Sequence, residues 1–510
     1  MPSRRIITNT SATYIRSIIT AGLGLFSARW IFTGLGATDY GLFAVVGSII
    51  MFITILNGVM AGSASRHFAF AIGRGDPDYV NRWFNTSLCI HLILPVVLIA
   101  IGWPISEYCI RHVLAVPADR IRSCLWVFRL SLIVAFVGMT SIPYLAMFSS
   151  KQNIAELAFW GTLQSVVSFV FAFILTKVSG DRLLFYAISG MIISLVFQAV
   201  QILRARYIFS ECRIHYRYWF DKGRFKEIFS FASWTMIGAL GSTLRDQGSA
   251  VLLNVYFGPK VNAAFGIANT VSSQTNQLGV AMIGAFSPEI MASEGRGDRS
   301  RMLTLAQQAS KFGAILVLLF AIPLVVEMDY VLKLWLKTPP EYTSTFCQLI
   351  IATFILERLS TGYMLAFYAY GRIAAYQATL GSCLILTLPL AWLLLKLGSP
   401  PTSVAVAFVA TMTAVTIGRI LWARRLLNVP VWCWLRDVLL PVGTVTVATT
   451  AASLIPRCLL LPSYSRLALV ISASVLTTII TAWFFALKNT ERYAVKQAAT
   501  LMCDKITVGK

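Results

Sequence analysis

Gly36-Ala37-Thr38-Asp39-Tyr40-Gly41-Leu42-Phe43 opens an apolar run that closes on Gly73-Arg74-Gly75-Asp76. The same arrangement returns later. Gly258-Pro259-Lys260-Val261-Asn262-Ala263-Ala264-Phe265 opens a second run, closing on Gly295-Arg296-Gly297-Asp298. Each matched residue is numbered 222 higher in the second copy, and the register holds without a gap through Met60/Met282, Gly62/Gly284 and Ser65/Ser287. Over 36–76 there are 10 identities in 41 positions. Leu145-Ala146 and Leu365-Ala366 match at a shift of 220. Self-similarity at a long fixed spacing marks a duplicated architecture.

The surroundings of the repeat identify its solvent. Of 510 residues, 57% are hydrophobic and only 13% charged; the mean hydropathy is +0.72. Soluble domains carry about 25% charged residues. An ordinary cytosolic enzyme, a disordered tail and a collagen-like fibre are therefore excluded. A helix needs about 20 apolar residues to cross a bilayer. Fourteen stretches qualify, at roughly 10–32, 41–62, 84–107, 123–147, 154–176, 183–203, 229–255, 263–287, 312–328, 344–369, 376–395, 403–422, 437–456 and 467–487. Arg4 and Arg5 precede the first run, but Arg16 interrupts it, so it reads as a spanning helix and not as a cleaved signal peptide.

The fold expected is an all-α polytopic membrane protein. Six spans separate the two copies, so both point the same way: two six-helix bundles in parallel repeat, plus two C-terminal helices. The predicted domains are 1–203 for spans one to six, 204–228 as a basic linker, 229–422 for spans seven to twelve, 437–487 for the last two spans and 488–510 as a tail. The net charge of +22 has its explanation in the loops. With both termini cytoplasmic, the inside segments hold 26 Lys and Arg and the outside segments 11, which obeys the positive-inside rule. The richest loop, RARYIFSECRIHYRYWFDKGRFKE (204–227), has both basic and aromatic residues and reads mainly as a topology signal. The nine cysteines are scattered with no CxxC, so neither a zinc site nor a disulfide framework is expected.

The motif set resembles a known family. Arg29, Leu35-Gly36, Asp39-Tyr40-Gly41-Leu42 and Val45-Val46-Gly47, followed by Arg66 and Phe68, are similar to the span-one and span-two signature of polysaccharide transporters. These belong to the multidrug/oligosaccharidyl-lipid/polysaccharide (MOP) exporter superfamily. Asn254, Gly258, Val261-Asn262-Ala263-Ala264, Gly266-Ile267-Ala268 and Pro288-Glu289-Ile290 resemble the second-half counterpart. The resemblance implies a V-shaped two-lobe fold and a flippase or exporter. Its cargo would be a lipid-linked oligosaccharide on a polyprenyl pyrophosphate of undecaprenyl type, moved from the cytoplasmic to the periplasmic leaflet of a bacterial inner membrane. It also implies a polysaccharide polymerase and glycosyltransferases as partners. Span one has no continuous cationic motif beyond Arg16 and Arg29, which favours exopolysaccharide, O-antigen or capsule cargo over lipid II.

Ionisable residues within spans are costly and are functional candidates by default. Substrate-binding candidates are Arg16, Arg29, Arg129, Arg245 and Arg358, with Ser242, Gln274 and Gln277. Arginine grips phosphate oxygens with a planar fork. Arg16, Arg245 and Arg358 are expected to line a cavity between the halves, where parallel-repeat transporters hold substrate. Asp246, Glu357 and Glu156 are candidates for proton or sodium coupling, with neutralisation of nearby arginines as the simpler role. Arg29, Glu156 and Arg419 fall near span ends, where snorkelling explains them. His91, in an apolar run, reads as a packed histidine. Asn9, Thr13, Arg16, Thr20, Gly24 and Ser27 form one small, polar face of span one; Thr235, Gly238, Ser242, Arg245, Asp246 and Ser249 form one on span seven. Helix packing explains such faces equally well.

The alternatives differ in what they require. A cation-coupled multidrug antiporter of the same architecture would want a carboxylate-rich interior, whereas the spans hold six arginines against three acids. An enzyme would want a large loop site, yet the longest outside segments (108–122 and 329–343) have only about 15 residues. No HExxH, GxxxxGK[ST] or GxSxG occurs. No metal, organic cofactor or nucleic acid is expected.

Overall fold

The computed structural model describes residues 4–113, 116–336 and 338–493. They are almost wholly helical and divide into two compact units: Ser11–Met236, and Ile237 onward together with the N-terminal residues through Thr10.

The Ser11–Met236 unit is built on α1 (Arg4–Gly73), α2 (Pro77–Tyr108), α3 (Ile121–Ser150), α4 (Ile154–Leu175), α5 (Arg182–Ile208) and the start of α6 (Lys222–Phe257). Helix α1 is broken at Gly36, whose φ of 75° and ψ of 170° are outside helical space. Only glycine enters that region without steric cost. At the end of α1, Gly75 (φ 76°) reverses the chain. Asp76 then accepts hydrogen bonds from the Asp78 and Tyr79 backbone N–H groups through Oδ1, capping α2. Between α4 and α5, Asp181 caps α5 through the Leu184 N–H (3.1 Å) and accepts from the Ser123 hydroxyl (2.6 Å). Partial burial pushes the Asp181 carboxyl up, but these bonds and the Arg120 charge outweigh it and hold it below the usual carboxylate range.

The 204–228 linker is strapped down by α2. Asn81 donates to the carbonyls of Glu211 and Arg213, Asn85 bonds Arg213 and the His215 N–H, and the Thr86 hydroxyl donates to Tyr218 O. Its bases Arg204, Arg206, Arg213, Arg217, Lys222 and Lys226 stay exposed. The Asn81 and Asn85 amides, buried at the top of an otherwise apolar helix, are thus explained by the linker's backbone.

The second unit continues α6 and adds α7 (Pro259–Gly295), α8 (Arg299–Val326), α9 (Met328–Leu336), α10 (Thr343–Tyr370), α11 (Ala374–Ile385), α12 (Thr387–Lys396), α13 (Ser403–Leu427), α14 (Val431–Trp434), α15 (Leu440–Leu459) and α16 (Tyr464–Thr481). The duplicated motif folds alike here. Gly258 (φ 78°, ψ −175°) precedes α7 as Gly36 precedes the second stretch of α1. Gly297 (φ 77°) follows α7, and Asp298 caps α8 by accepting from the Arg301 N–H. The core is aliphatic and aromatic, with Phe265 edge-on to Phe346 and Phe408.

Eleven helices among the described residues are long and apolar enough to cross a membrane, against fourteen expected. The chain is a multi-pass integral membrane protein. Two of the three differences are α6 and α7, which are 36 and 37 residues long. Polar residues dilute them: Thr235, Ser242, Arg245 and Asp246 in one, Asn269, Thr270 and Ser272 in the other. The third, 41–62, runs within α1, and its side chains from 44 to 54 lie outside the described residues.

Candidate functional site

The expected site residues fall in two groups, one in each unit. In the second unit, α6 supplies Arg245 and Asp246, whose Nε and Oδ1 are 2.8 Å apart. The Arg245 guanidinium also stands 4.6 Å over the Phe408 ring. Helix α10 supplies Glu357 and Arg358. Arg358 Nη2 donates to Asn276 Oδ1 (2.5 Å) and lies 3.4 Å from Glu357 Oε2. The Arg358 stem packs where a side chain at Gly279 would sit, within 3.0 Å of an added Cβ, so the α7 glycine makes room for the arginine.

Arg419 joins this group, which corrects the snorkelling expectation. Its Nε donates to the Tyr376 hydroxyl (3.0 Å) and its Nη1 to Ser360 Oγ (3.3 Å). Only 4% of Arg419 is exposed. Helix α13 runs on to Leu427, so Arg419 is two turns from the end and not at it. Phe408, Met412, Val415, Arg419 and Ala423, spaced three or four apart, are all buried; that periodicity was the signal for an inward-facing arginine. The charges of Arg358, Arg419 and Arg245 all act on the Glu357 carboxylate. Three arginines thus share two acids, since Asp246 is the other carboxylate of the group. Cationic excess in a low-dielectric interior is costly unless an anion completes it.

Three glycines of α6 are packing positions. Gly238 accommodates the Gln377 amide, Gly241 meets the Gly381 backbone and Gly248 meets Leu388. Ser242 Oγ donates to its own helix at Ala239 O. The side chains of Gln274 and Gln277 lie outside the described residues.

In the Ser11–Met236 unit the candidates are dispersed. Arg16 packs its guanidinium over Gly161 of α4, in the space an added Cβ would need. None of the ion pairs among the described residues uses Arg16 or Arg29. Arg129 lies 3.6 Å from Glu107 and over the rings of Trp103 and Trp126. Glu156 accepts from Arg204 at 2.7 Å and from Asn153 at 2.8 Å at the end of α4. His91 is buried, with Nδ1 2.7 Å from Ser87 O. Among the described residues, no group of three or more His, Cys, Asp or Glu is placed to hold a metal ion.

The same unit has a partly open cavity of about 750 Å3 among α1, α3, α4 and α5. Thr20, Gly24 and Ser27 of the span-one polar face line it, together with Asn57, Gln164 and Gln198. No charged residue is among the described residues that line it. Sequence reading found the α1 face but not the cavity, which needs four helices to define it.

This all-helical arrangement is the fold of MOP-type transporters. A MOP superfamily transporter from Pyrococcus furiosus, whose binding pocket of reversed polarity suggests a different function, superposes with a TM-score of 0.71 at 17% identity, over 85% of this chain and 96% of that one. A multidrug resistance MATE family transporter in an outward-facing conformation gives 0.74 at 16% identity, and MATE in its straight conformation 0.73 at 16%. Both cover 84% of this chain and 96% of theirs. No curated protein matches the chain. The sequence profile described as polysaccharide biosynthesis protein matches residues 6–291, more than half of the chain, and the chain belongs to that family.

Proposed function

We propose that this protein is a flippase that moves a polyprenyl-pyrophosphate-linked oligosaccharide from the cytoplasmic to the periplasmic leaflet of a bacterial inner membrane, by alternating access. The product would serve exopolysaccharide, O-antigen or capsule assembly, beside a polymerase and glycosyltransferases. Residues 1–203 and 229–422 would be the two repeated bundles, joined by 204–228 and followed by spans in 437–487 and the tail 488–510. Both termini would be cytoplasmic. The polar helices α6, α7 and 41–62 would complete the fourteen spans, their polar faces turned from lipid.

The observation that carries this reading is the cationic interior. Arg245, Arg358 and Arg419 are buried, with Asp246 beside Arg245 and Glu357 beside Arg358, and Arg16 and Arg29, which are exposed, lack an ion-pair partner among the described residues. A pyrophosphate is the anion that such arginines can grip in a bidentate fashion. Arg129, Ser242, Gln274 and Gln277 would complete the substrate path. Substrate phosphate would compete with Glu357 for Arg358 and Arg419. The carboxylate released from its arginines is then the group that would exchange a proton or sodium ion. Asp246 beside Arg245 and Glu156 beside Arg204 are the other coupling candidates.

The test is complementation of a strain lacking its own lipid-linked oligosaccharide flippase, comparing wild type, Arg358→Ala, Arg245→Ala and Asp246→Asn at matched membrane abundance. Surface polysaccharide should return with wild type and fall about tenfold or more with either arginine variant, the loss of one charged hydrogen bond being about 1.5–3 kcal/mol. No restoration by wild type, together with resistance to cationic drugs, would replace this reading with a cation-coupled multidrug antiporter.

A further inference from the structure

The 750 Å3 cavity of the Ser11–Met236 unit has a chemistry unlike that of the arginine cluster. Its polar lining is hydroxyls and amides. Four of those hydroxyls already donate their proton to a backbone carbonyl. Thr20 donates to Arg16 O, Ser131 to Val127 O, Ser165 to Gly161 O and Ser189 to Tyr186 O, at 2.8–3.0 Å. What they offer the cavity is oxygen lone pairs. The amides of Asn57, Gln164 and Gln198 add carbonyl acceptors and N–H donors. Such a wall matches a ligand whose own groups both donate and accept, as hydroxyls do.

The charge pattern narrows the ligand further. An anion would face acceptors on several sides with no cation in the described lining, and an alkyl chain would leave every acceptor unmet. A neutral polyhydroxylated molecule supplies the donors and carries no charge. Phe43, Phe171 and Tyr186 give the cavity flat apolar faces, with Phe43 and Tyr186 edge-on at 5.1 Å. A pyranose ring presents such faces with its C–H bonds and the wall with its hydroxyls. The volume is in the range of about 300–1,000 Å3 that holds a small-molecule ligand.

We infer that this cavity is a subsite for uncharged sugar residues, separate from the guanidinium groups that take the phosphates. The inference rests on the transport reading above and assigns the selection of the glycan to α1, α3, α4 and α5. Arg16 fits this division. It lies over Gly161, one helical turn from Gln164 and Ser165, and one turn from Thr20 on its own helix. A phosphate held by Arg16 would leave the attached sugars at the cavity.

The structure offers a substitution that fills the cavity without disturbing the helix. A Cβ added at Gly190, in the cavity wall, meets nothing within 4 Å. Gly190→Phe therefore projects into open space, and Gly190→Ala is its control. The full-length protein is reconstituted into vesicles with one of two fluorescent polyprenyl diphosphates, carrying either a single hexose or a full oligosaccharide repeat. Flipping is read by quenching from outside. Gly190→Phe should carry the single-hexose lipid within about twofold of wild type and the oligosaccharide lipid about tenfold more slowly, while Gly190→Ala carries both; tenfold corresponds to about 1.4 kcal/mol, the scale of one hydrogen bond. Gln198→Leu should likewise slow only the oligosaccharide lipid. If Gly190→Phe carries both lipids as wild type does, the cavity holds only water and the inference is overturned. Equal loss of both lipids overturns it too, by making the position structural. If wild type carries neither lipid, the transport reading falls, and this inference with it.

Discussion

Lys311 Nζ lies 2.6 Å from Glu491 Oε2, with both side chains about 3% exposed. The pair joins α8 to the segment after the last span. Gln308 reaches the same carboxylate, and the Lys311 ammonium also donates to Ala486 O. At the C-terminal end of α8, Arg466 Nη2 lies 2.6 Å from Glu327 Oε2. The last two spans, which extend beyond the predicted repeat, are therefore fastened to α8 at its middle and at its C-terminal end by buried ion pairs. Removing one partner of such a pair strands the other charge. Lys311→Ala or Glu491→Ala should destabilise the protein by about 3–5 kcal/mol, and Lys311→Met with Glu491→Leu should recover most of the loss. Thermal unfolding in nanodiscs reads both. Equal instability of the single and double variants would mean that packing, and not the charge pair, holds these helices.

Gly75 and Gly297 adopt φ of 76° and 77° at matched places in the two copies. An added Cβ at either meets no atom within 4 Å, so any penalty for substitution is one of backbone alone. Gly297→Ala should cost about 1–2 kcal/mol, the price of the left-handed region for a residue with a Cβ. Gly297→Asn should cost less, since Asn tolerates that region. Melting midpoints that rank Asn with Ala would show that the turn does not require a left-handed residue.

Those turns also explain what could be read from sequence. The Gly-Arg-Gly-Asp copies announced themselves because each residue has a local job: a glycine to reverse the chain and an aspartate to cap the next helix. Local rules need no partner. Arg419 was misread because its partners Tyr376 and Ser360 are 43 and 59 residues away, and only the buried face of α13 hinted at them. Lys311 directly precedes the expected span 312–328, and its acid lies 180 residues on. Gly238 and its neighbours on the polar face of span seven looked equally like a cavity face or a packing face. Which of the two they form depends on Gln377 and Gly381 standing opposite, and no spacing in α6 encodes that. The cavity in the first unit was half visible, as the Thr20, Gly24 and Ser27 face of α1, and its other walls belong to helices with weak polar patterns of their own.

Cys458 is exposed near the end of α15 and Cys212 is buried in the linker. Burial, with the Glu211 charge, pushes the Cys212 thiol up to about 12. The thiolate is the reactive form and an ordinary thiol titrates near about 8.5. Between pH 7 and 9 a maleimide should therefore label Cys458 and leave Cys212 unmodified until the protein is denatured. With the other eight cysteines replaced by serine, Cys458 should react with an impermeant maleimide from the periplasmic side, given cytoplasmic termini. Labelling only in inverted vesicles would reverse the proposed topology.

Glu357 sits among three arginines and could be there merely to balance them. Arg419→Met would leave the Tyr376 and Ser360 hydroxyls without their shared partner and remove a positive charge that acts on Glu357, and should cost about 3–5 kcal/mol of stability, as for other broken buried charge networks. Adding Glu357→Gln removes the uncompensated carboxylate, so the double variant should regain most of the melting midpoint. Stability alone does not separate the two roles, and transport does. If Glu357 only neutralises charge, the double variant should regain flipping along with its fold. If Glu357 exchanges an ion when phosphate takes its arginines, Glu357→Gln alone should fold normally yet lose the dependence of flipping on a proton or sodium gradient, and the double variant should stay inactive. Vesicle flipping measured with and without each gradient decides the matter. A Glu357→Gln protein that still responds to both gradients would move the coupling role to Asp246, the carboxylate that pairs with Arg245.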